Sequence, residues 1–257
     1  MRPRPAQYIV LDLETVTDTS LPPPKKKEDG SESFPAPPYH EIVVMGAALL
    51  DRNYRLRRIW CVAEDKDEAT MLSALTTFLG EQLASGQPVT LVSWNGRGFD
   101  LPTIIARCLR HGIPFLWYYA QRAVRNRYSA EGHLDLMDWL ADHGAGRSYG
   151  LDLAAKLIGL PGKLDCKGTD VQAMVDAGQL AEVRAYCMQD VAQTVALFLR
   201  VQLLRGEVDT ATCAHALQVL LATMAGEPRL APLLPLIDQE RLVPRVEVGP
   251  SLVRGAA

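Results

Sequence analysis

The segment YIVLDLETVT (residues 8–17) constrains the fold more than any other stretch of the chain. Tyr8, Ile9, Val10 and Leu11 have the aromatic and β-branched character of a strand buried on both faces. Asp12 and Glu14 then stand where aliphatic residues should continue the run. Side chains two apart on a strand point to the same face, so the two carboxylates are neighbours at the end of a core strand. Such a strand needs a reason to carry adjacent negative charges.

The next segment, residues 17–38, is rich in Pro, Ser and charge and reads as a long mobile loop inserted into the fold. EIVVMGAALL (41–50) and RLRRIWCVA (55–63) predict a hairpin pair of strands. Helical periodicity follows over 67–84, an apolar strand over 88–95, and a helix over 101–112 with Pro in its first turn and Gly at its stop. Residues 132–143 predict a short strand running into a helix, and helices are expected around 149–160 and 169–178. The strongest helix spans 179–206, one more covers 210–226, and the tail from Glu227 is Pro-rich. Hairpin-linked strands followed by βαβ crossovers predict an α/β fold, a mixed central β-sheet flanked by helices. One domain is expected over 7–206, with 207–257 forming a C-terminal helix and tail packed on it.

Composition narrows the function classes. The chain has 257 residues, 48% hydrophobic and 22% charged, which suits an ordinary globular protein. No apolar run approaches the roughly 20 residues of a membrane span, and MRPRPAQ lacks the apolar segment of a secretory signal. Five scattered cysteines without a CxxC pair (Cys61, Cys108, Cys166, Cys187 and Cys213) argue against a disulfide framework and for a cytoplasmic location. A net charge of −3 gives no support for extensive duplex contact, but it is compatible with an enzyme gripping a few nucleotides through metal ions and a local basic patch.

Two further acids sit at suggestive places. In VSWNGRGFDLP, Asp100 lies after a strand and at the start of a helix, where an acid also answers the helix dipole. In RAYCMQDVAQT, Tyr186 and Asp190 are four apart and share one helix face. Taken together, these segments resemble the three motifs of the DEDD 3′–5′ exonucleases, in the tyrosine-bearing (DEDDy) subclass. DxE is matched by Asp12 and Glu14, N-x3-F-D by Asn95, Phe99 and Asp100, and YxxxD by Tyr186 and Asp190. HLDLMDWL and SYGLDLAAKLIGL are similar to the segment between the second and third motifs. The likeness covers roughly residues 7–204 and, with no polymerase region following, is to the freestanding, predicted PolB-like exonucleases. It implies a ribonuclease H-like fold with the first strand central and the four acids meeting at one edge.

Like charges about 4 Å apart repel by ~4 kcal/mol at an effective dielectric near 20, so four clustered carboxylates call for cations or protons. Oxygen-only donors select Mg2+ or Mn2+, and two such ions can activate water and stabilise a leaving oxygen in phosphodiester hydrolysis. The resemblance implies that Asp12 bridges both ions, that Glu14 and Asp190 complete the first, and that Asp100 holds the second through water. Tyr186, with an ordinary pKa of about 10, suits orienting the attacking water rather than removing its proton.

The expected substrate is the 3′ end of single-stranded DNA or RNA, DNA favoured, released as nucleoside 5′-monophosphates. Phe99 is placed to stack on a terminal base, Asn95 to hydrogen-bond the terminal nucleotide, and the Leu13 and Thr15 backbone to pack against its sugar. Arg97 is placed to reach a phosphate, and Lys25–Lys27 lie in the insertion behind the first motif. LIGLPGK (157–163) lacks the spacing of a phosphate loop, and the histidines show no HExxH. An exoribonuclease and a noncatalytic nucleic-acid-binding module on the same fold remain open alternatives.

Overall fold

β1 (Gln7–Thr17) extends past its two acids, because the strand on its antiparallel side pairs with it along its whole length. The computed structural model describes residues 7–23, 34–87, 89–164 and 168–245; Lys25–Lys27 and Cys166 lie outside them. After β1 come β2 (His40–Asp51), β3 (Leu56–Cys61), α1 (Glu68–Ala84), β4 (Val89–Ser93) and α2 (Asp100–His111). Two short helices not expected from the sequence, α3 (Leu116–Ala120) and α4 (Arg122–Arg125), precede β5 (His133–Asp135) and α5 (Leu136–Leu140). The chain then forms α6 (Leu151–Leu157), α7 (Val171–Asp176), α8 (Leu180–Leu204), α9 (Thr210–Gly226) and α10 (Gln239–Leu242). Among the described residues no helix is long and apolar enough to cross a membrane.

The sheet order is β3-β2-β1-β4-β5. β2 runs antiparallel to β1 and β3, whereas β4 runs parallel to β1 and β5. β1 is therefore central, and its period-2 alternation serves two cores. Tyr8 and Val10 face a cluster built on α8 and α9, while Ile9, Leu11 and Leu13 face one built on α1 and α2. Asp12 and Glu14 continue the row of Tyr8 and Val10, so they point toward α8.

α8 is apolar on nearly every side because the sheet covers one face and α9 the other. It approaches the sheet tightly at Gly46, the β2 residue paired with Asp12. A Cβ at Gly46 would lie 2.8 Å from Cys187 Sγ and 2.9 Å from Val191 Cγ2, so only glycine admits the helix there. The Pro-rich tail packs rather than frays as far as it is described. Leu230, Leu233 and Leu242 are fully buried, and Arg200 Nη1 donates to the carbonyls of Arg241 and Leu242 at 2.8 and 2.7 Å.

A buried ionic cluster fixes α2 against the neighbouring segments. Arg107 on α2 pairs with Asp18, just beyond β1, and with Glu68 in the first turn of α1, both at 2.6 Å. Its side chain is 2% exposed. Glu68 also accepts from the Ile42 amide at 2.7 Å and meets His111 Nε2 at 2.6 Å. Hydrogen bonds from Arg107 and Ser20 hold the Asp18 carboxyl below the usual carboxylate range. Removing one partner of a buried pair leaves the other charge uncompensated, at a cost of about 3–5 kcal/mol. Arg107→Ala is expected to lose that much stability in urea unfolding. Arg57→Ala, which removes a 58%-exposed partner of Asp51, should lose about 1 kcal/mol or less. Equal losses in the two variants would contradict the structural weight given to Arg107.

Candidate metal centre

Three elements deliver the acids. β1 supplies Asp12 and Glu14, and its pairing with β2 shifts register between Glu14 and Thr15, a bulge that ends the regular ladder beside the carboxylates. α2 supplies Asp100 as its first residue, directly beyond the turn that follows β4. α8 supplies Tyr186 and Asp190 one turn apart. The acids meet at the end of β1, as shown by the charges that act on Asp12: Glu14, Asp100 and Asp190 all bear on it. Glu14, Asp100 and Asp190 are 7, 3 and 5% exposed, and half-buried Asp12 leaves the cluster open to solvent.

The turn from β4 to α2 is tightly determined. Asn95 adopts a left-handed conformation (φ 65°), which asparagine tolerates better than most residues. A Cβ at Gly96 would fall 2.2 Å from Ser93 Oγ, so that position has no room for a side chain. Asp135, at the end of β5, holds the turn by accepting from the amides of Asn95 (3.0 Å) and Arg97 (2.9 Å). The sequence reading did not single out Asp135. The only hint was an acid ending a short apolar strand.

Arg97 is engaged with the backbone of neighbouring segments. Its guanidinium donates to the carbonyls of Val124 and Asn126 at 3.2 Å and of His133 at 2.9 Å. These bonds brace the turn against α4 and β5. Leu13 and Thr15 flank Glu14; the Leu13 amide donates to the Asp100 carboxylate, and Thr15 Oγ1 lies 3.0 Å from His40 Nδ1. Asn95 is half-buried, and Phe99 is half-buried beside Asp100.

Lys163 was also missed by the sequence reading, which weighed its segment only as a phosphate loop. Its ammonium donates to Tyr186 Oη and lies 3.5 Å from Asp190 Oδ2. Gln193 on α8 accepts from the Gly162 amide at 2.8 Å, and Asp152 accepts from the Lys163 amide at 2.8 Å, so the lysine is anchored from both sides. A lysine after Pro-Gly, just past the SYGLDLAAKLIGL segment, was the available signal.

Electrostatics sets the chemistry. Burial first, then the neighbouring acids, pushes Asp12 well above the usual carboxylate range. Burial and then Asp190 do the same to Glu14. Asp100 is pushed up to about 7 by burial, with hydrogen bonds from the Leu13 amide and its own amide opposing the rise. Asp190 is raised by burial although Lys163 and Tyr186 oppose the shift. Burial and the adjacent carboxylates raise Tyr186, which is thus a neutral hydrogen-bond donor to Asp190.

The residues fit hard divalent cations. Asp100 Oδ1 is buried with no protein partner, an acceptor that a cation or its bound water would satisfy. Asp12, Glu14 and Cys187 present donor atoms within 4.8 Å of one another. Cys187 lies 3.6 Å from both the carbonyl and Oδ2 of Asp12, and burial keeps its thiol protonated. The charged donors are therefore carboxylate oxygens, the set that suits Mg2+ or Mn2+.

The fold is an α/β, ribonuclease H-like one, and its carboxylate cluster gives it the frame of a metal-assisted nuclease. A family described as "Predicted 3′-5′ exonuclease related to the exonuclease domain of PolB" matches residues 32–233, and the chain belongs to that family. The match begins after Asp12 and Glu14, which the sheet nevertheless brings to Asp100 and Asp190. Among solved structures, the family B DNA polymerase from the hyperthermophilic archaeon Pyrobaculum calidifontis superposes with a TM-score of 0.54 at 17% identity. That match covers 87% of this chain and 29% of the polymerase, and it supports the fold. No curated protein matches the sequence.

The raised Asp100 has a consequence for stability. A carboxyl whose folded pKa exceeds its unfolded value contributes stability at low pH that is lost as pH rises through the folded value. Between pH 5 and 8 in EDTA, Tm should fall by several degrees, and less in Asp100→Asn than in the wild type. Mn2+ should raise Tm more at pH 8.5 than at 6.5, since ligands must lose protons to bind it. Differential scanning fluorimetry reads both effects; parallel Tm profiles for the two proteins would contradict the assignment.

Proposed function

We propose that this chain is a DEDDy-type 3′–5′ exonuclease that removes nucleoside 5′-monophosphates from single-stranded nucleic acid, DNA favoured. The observation that carries the reading is the convergence of Asp12, Glu14, Asp100 and Asp190 with Tyr186 hydrogen-bonded to Asp190. Two divalent cations held by the four acids, Mg2+ or Mn2+, would polarise the scissile phosphodiester and lower the pKa of the attacking water. Water oxygen attacks the phosphorus of the terminal nucleotide, the bond to the 3′ oxygen of the preceding nucleotide breaks, and that oxygen leaves as a hydroxyl, the proton given up by the attacking water reaching it through solvent.

Tyr186 positions the water. Lys163 donates to Tyr186 Oη and the phenol proton is directed at Asp190, which leaves an Oη lone pair to accept from water. Lys163 also places a positive charge beside the cluster, where it offsets part of the repulsion between acids and phosphates. Asn95, Phe99, Leu13 and Thr15 border the acids and are assigned to the terminal nucleotide; Arg97 is assigned to the scaffold. A cytoplasmic setting accords with buried free thiols at Cys61, Cys108, Cys187 and Cys213.

With 5′-labelled single strands, Mn2+ should produce a ladder shortening from the 3′ end and EDTA should abolish it. Asp12→Ala and Asp190→Ala are expected to lose activity by at least ~1,000-fold, as for other lost groups that act on developing charge. Tyr186→Phe should lose roughly 10-fold, the worth of one hydrogen bond. Unchanged digestion by Asp12→Ala would sink the assignment. DNA and RNA lanes run side by side report the preferred sugar.

A further inference from the structure

The two edges of the sheet differ. β5 is three residues long and buried throughout. β3, at the other end of the order, is six residues long, and no described strand pairs with its outer side. Arg57 and Arg58 on it are exposed, and Ile59 and Trp60 are half-buried. An unpaired edge presents backbone donors and acceptors in a row, a template on which a further strand can form.

A groove of about 550 Å3 runs beside this edge, between β3 and α1. The buried Ile9 and Leu75 and the more exposed Trp60, Ala74 and Phe78 make its lining largely apolar. The Arg58 guanidinium lies over the Trp60 ring, 4.7 Å from its centroid. Residues 52–62 hold four arginines and no acid, in a chain of net charge −3. Arg52, Arg55, Arg57 and Arg58 are all exposed. The acid in the groove lining, Glu64, is matched by Arg229 at 2.9 Å, so it does not cancel the arginines.

We infer that β3 is a docking edge for a partner protein, which adds an acidic segment to the sheet as an extended strand and seats an apolar side chain beside Trp60 and Phe78. A polypeptide fits because it can complete the backbone ladder while its alternate side chains reach the groove. The arginines select the charge of that segment. They also disfavour a second copy of this chain, since two such edges would set arginine against arginine. Trp60 packs on the α1 side of the sheet, whereas Asp12 and Glu14 face α8, so the docking does not depend on the nuclease reading.

The probe comes from a display library of random dodecapeptides selected on the full chain. Selected peptides should be richer in Asp and Glu than the starting library and carry a large apolar residue. The most enriched peptide, labelled with fluorescein, is then titrated by anisotropy. Joint Arg57→Glu and Arg58→Glu should weaken its binding at least ~tenfold, and joint Arg57→Lys and Arg58→Lys should hold it within about threefold. Ala74→Trp, which fills the groove from α1, should also weaken it. The substituted residues are exposed, and an unchanged Tm shows that each variant is folded. On one strand, only every second amide faces the neighbouring strand. N-methylation of alternate peptide amides should therefore abolish binding in one register and spare it in the other.

No enrichment of acidic sequences would refute the docking edge, as would a selected peptide that binds the double Glu variant as tightly as wild type. Equal loss on N-methylation in either register would refute strand addition. A single-stranded oligonucleotide that displaces the peptide, and itself binds the double Glu variant more weakly, would assign this face to nucleic acid and overturn the inference.

Discussion

The approach of α8 to the sheet at Gly46 is the constraint on which the architecture and the site both depend. Gly46 pairs with Asp12 across β1 and β2, and the helix passes so close that a methyl group would strike Cys187 and Val191. That contact sets the depth of the helix in the core. It also sets how far Tyr186 and Asp190, on either side of Cys187, stand from the acids of β1. A helix displaced outward by a side chain at this position would weaken the packing of Val191 and Val195 and separate the acid pairs together.

Two different electrostatic solutions flank this contact. Asp18 and Glu68 are buried charges satisfied by Arg107, with bidentate geometry that only a guanidinium supplies. They stabilise the fold and need nothing from outside. Asp12, Glu14 and Asp100 are buried or half-buried charges that the protein leaves under-compensated, with one oxygen of Asp100 lacking any protein partner. Lys163 offsets only part of that excess, because it lies to one side, on Tyr186 and Asp190. A cluster kept at an energetic disadvantage in an otherwise satisfied structure marks a function, and the donor chemistry makes that function cation binding.

The residues legible in the sequence were those whose chemistry contradicts their surroundings. Acids ending an apolar strand, an acid after NGRGF and an acid in the apolar face of a long helix each break the local pattern, and their order added the rest. The strands, α1, α2, α8 and α9 were likewise readable from periodicity, with the αL glycines Gly112 and Gly206 closing α2 and α8. What escaped notice depends on tertiary contact. Asp135 acts on backbone groups of a distant turn, and Lys163 is aimed by Asp152 and Gln193. Nothing in a linear pattern marks such pairings. The short α3 and α4 have no amphipathic run long enough to register, and Trp117 and Val124 hold them to the core.

A polyanion approaching this molecule meets a net charge of −3 and a local concentration of carboxylates. Long-range attraction, which draws basic proteins to nucleic acid, is therefore weak here, and the grip on substrate has to be short-ranged. Cations held by Asp12, Glu14, Asp100 and Asp190 would supply it at the phosphates, where carboxylates alone would repel.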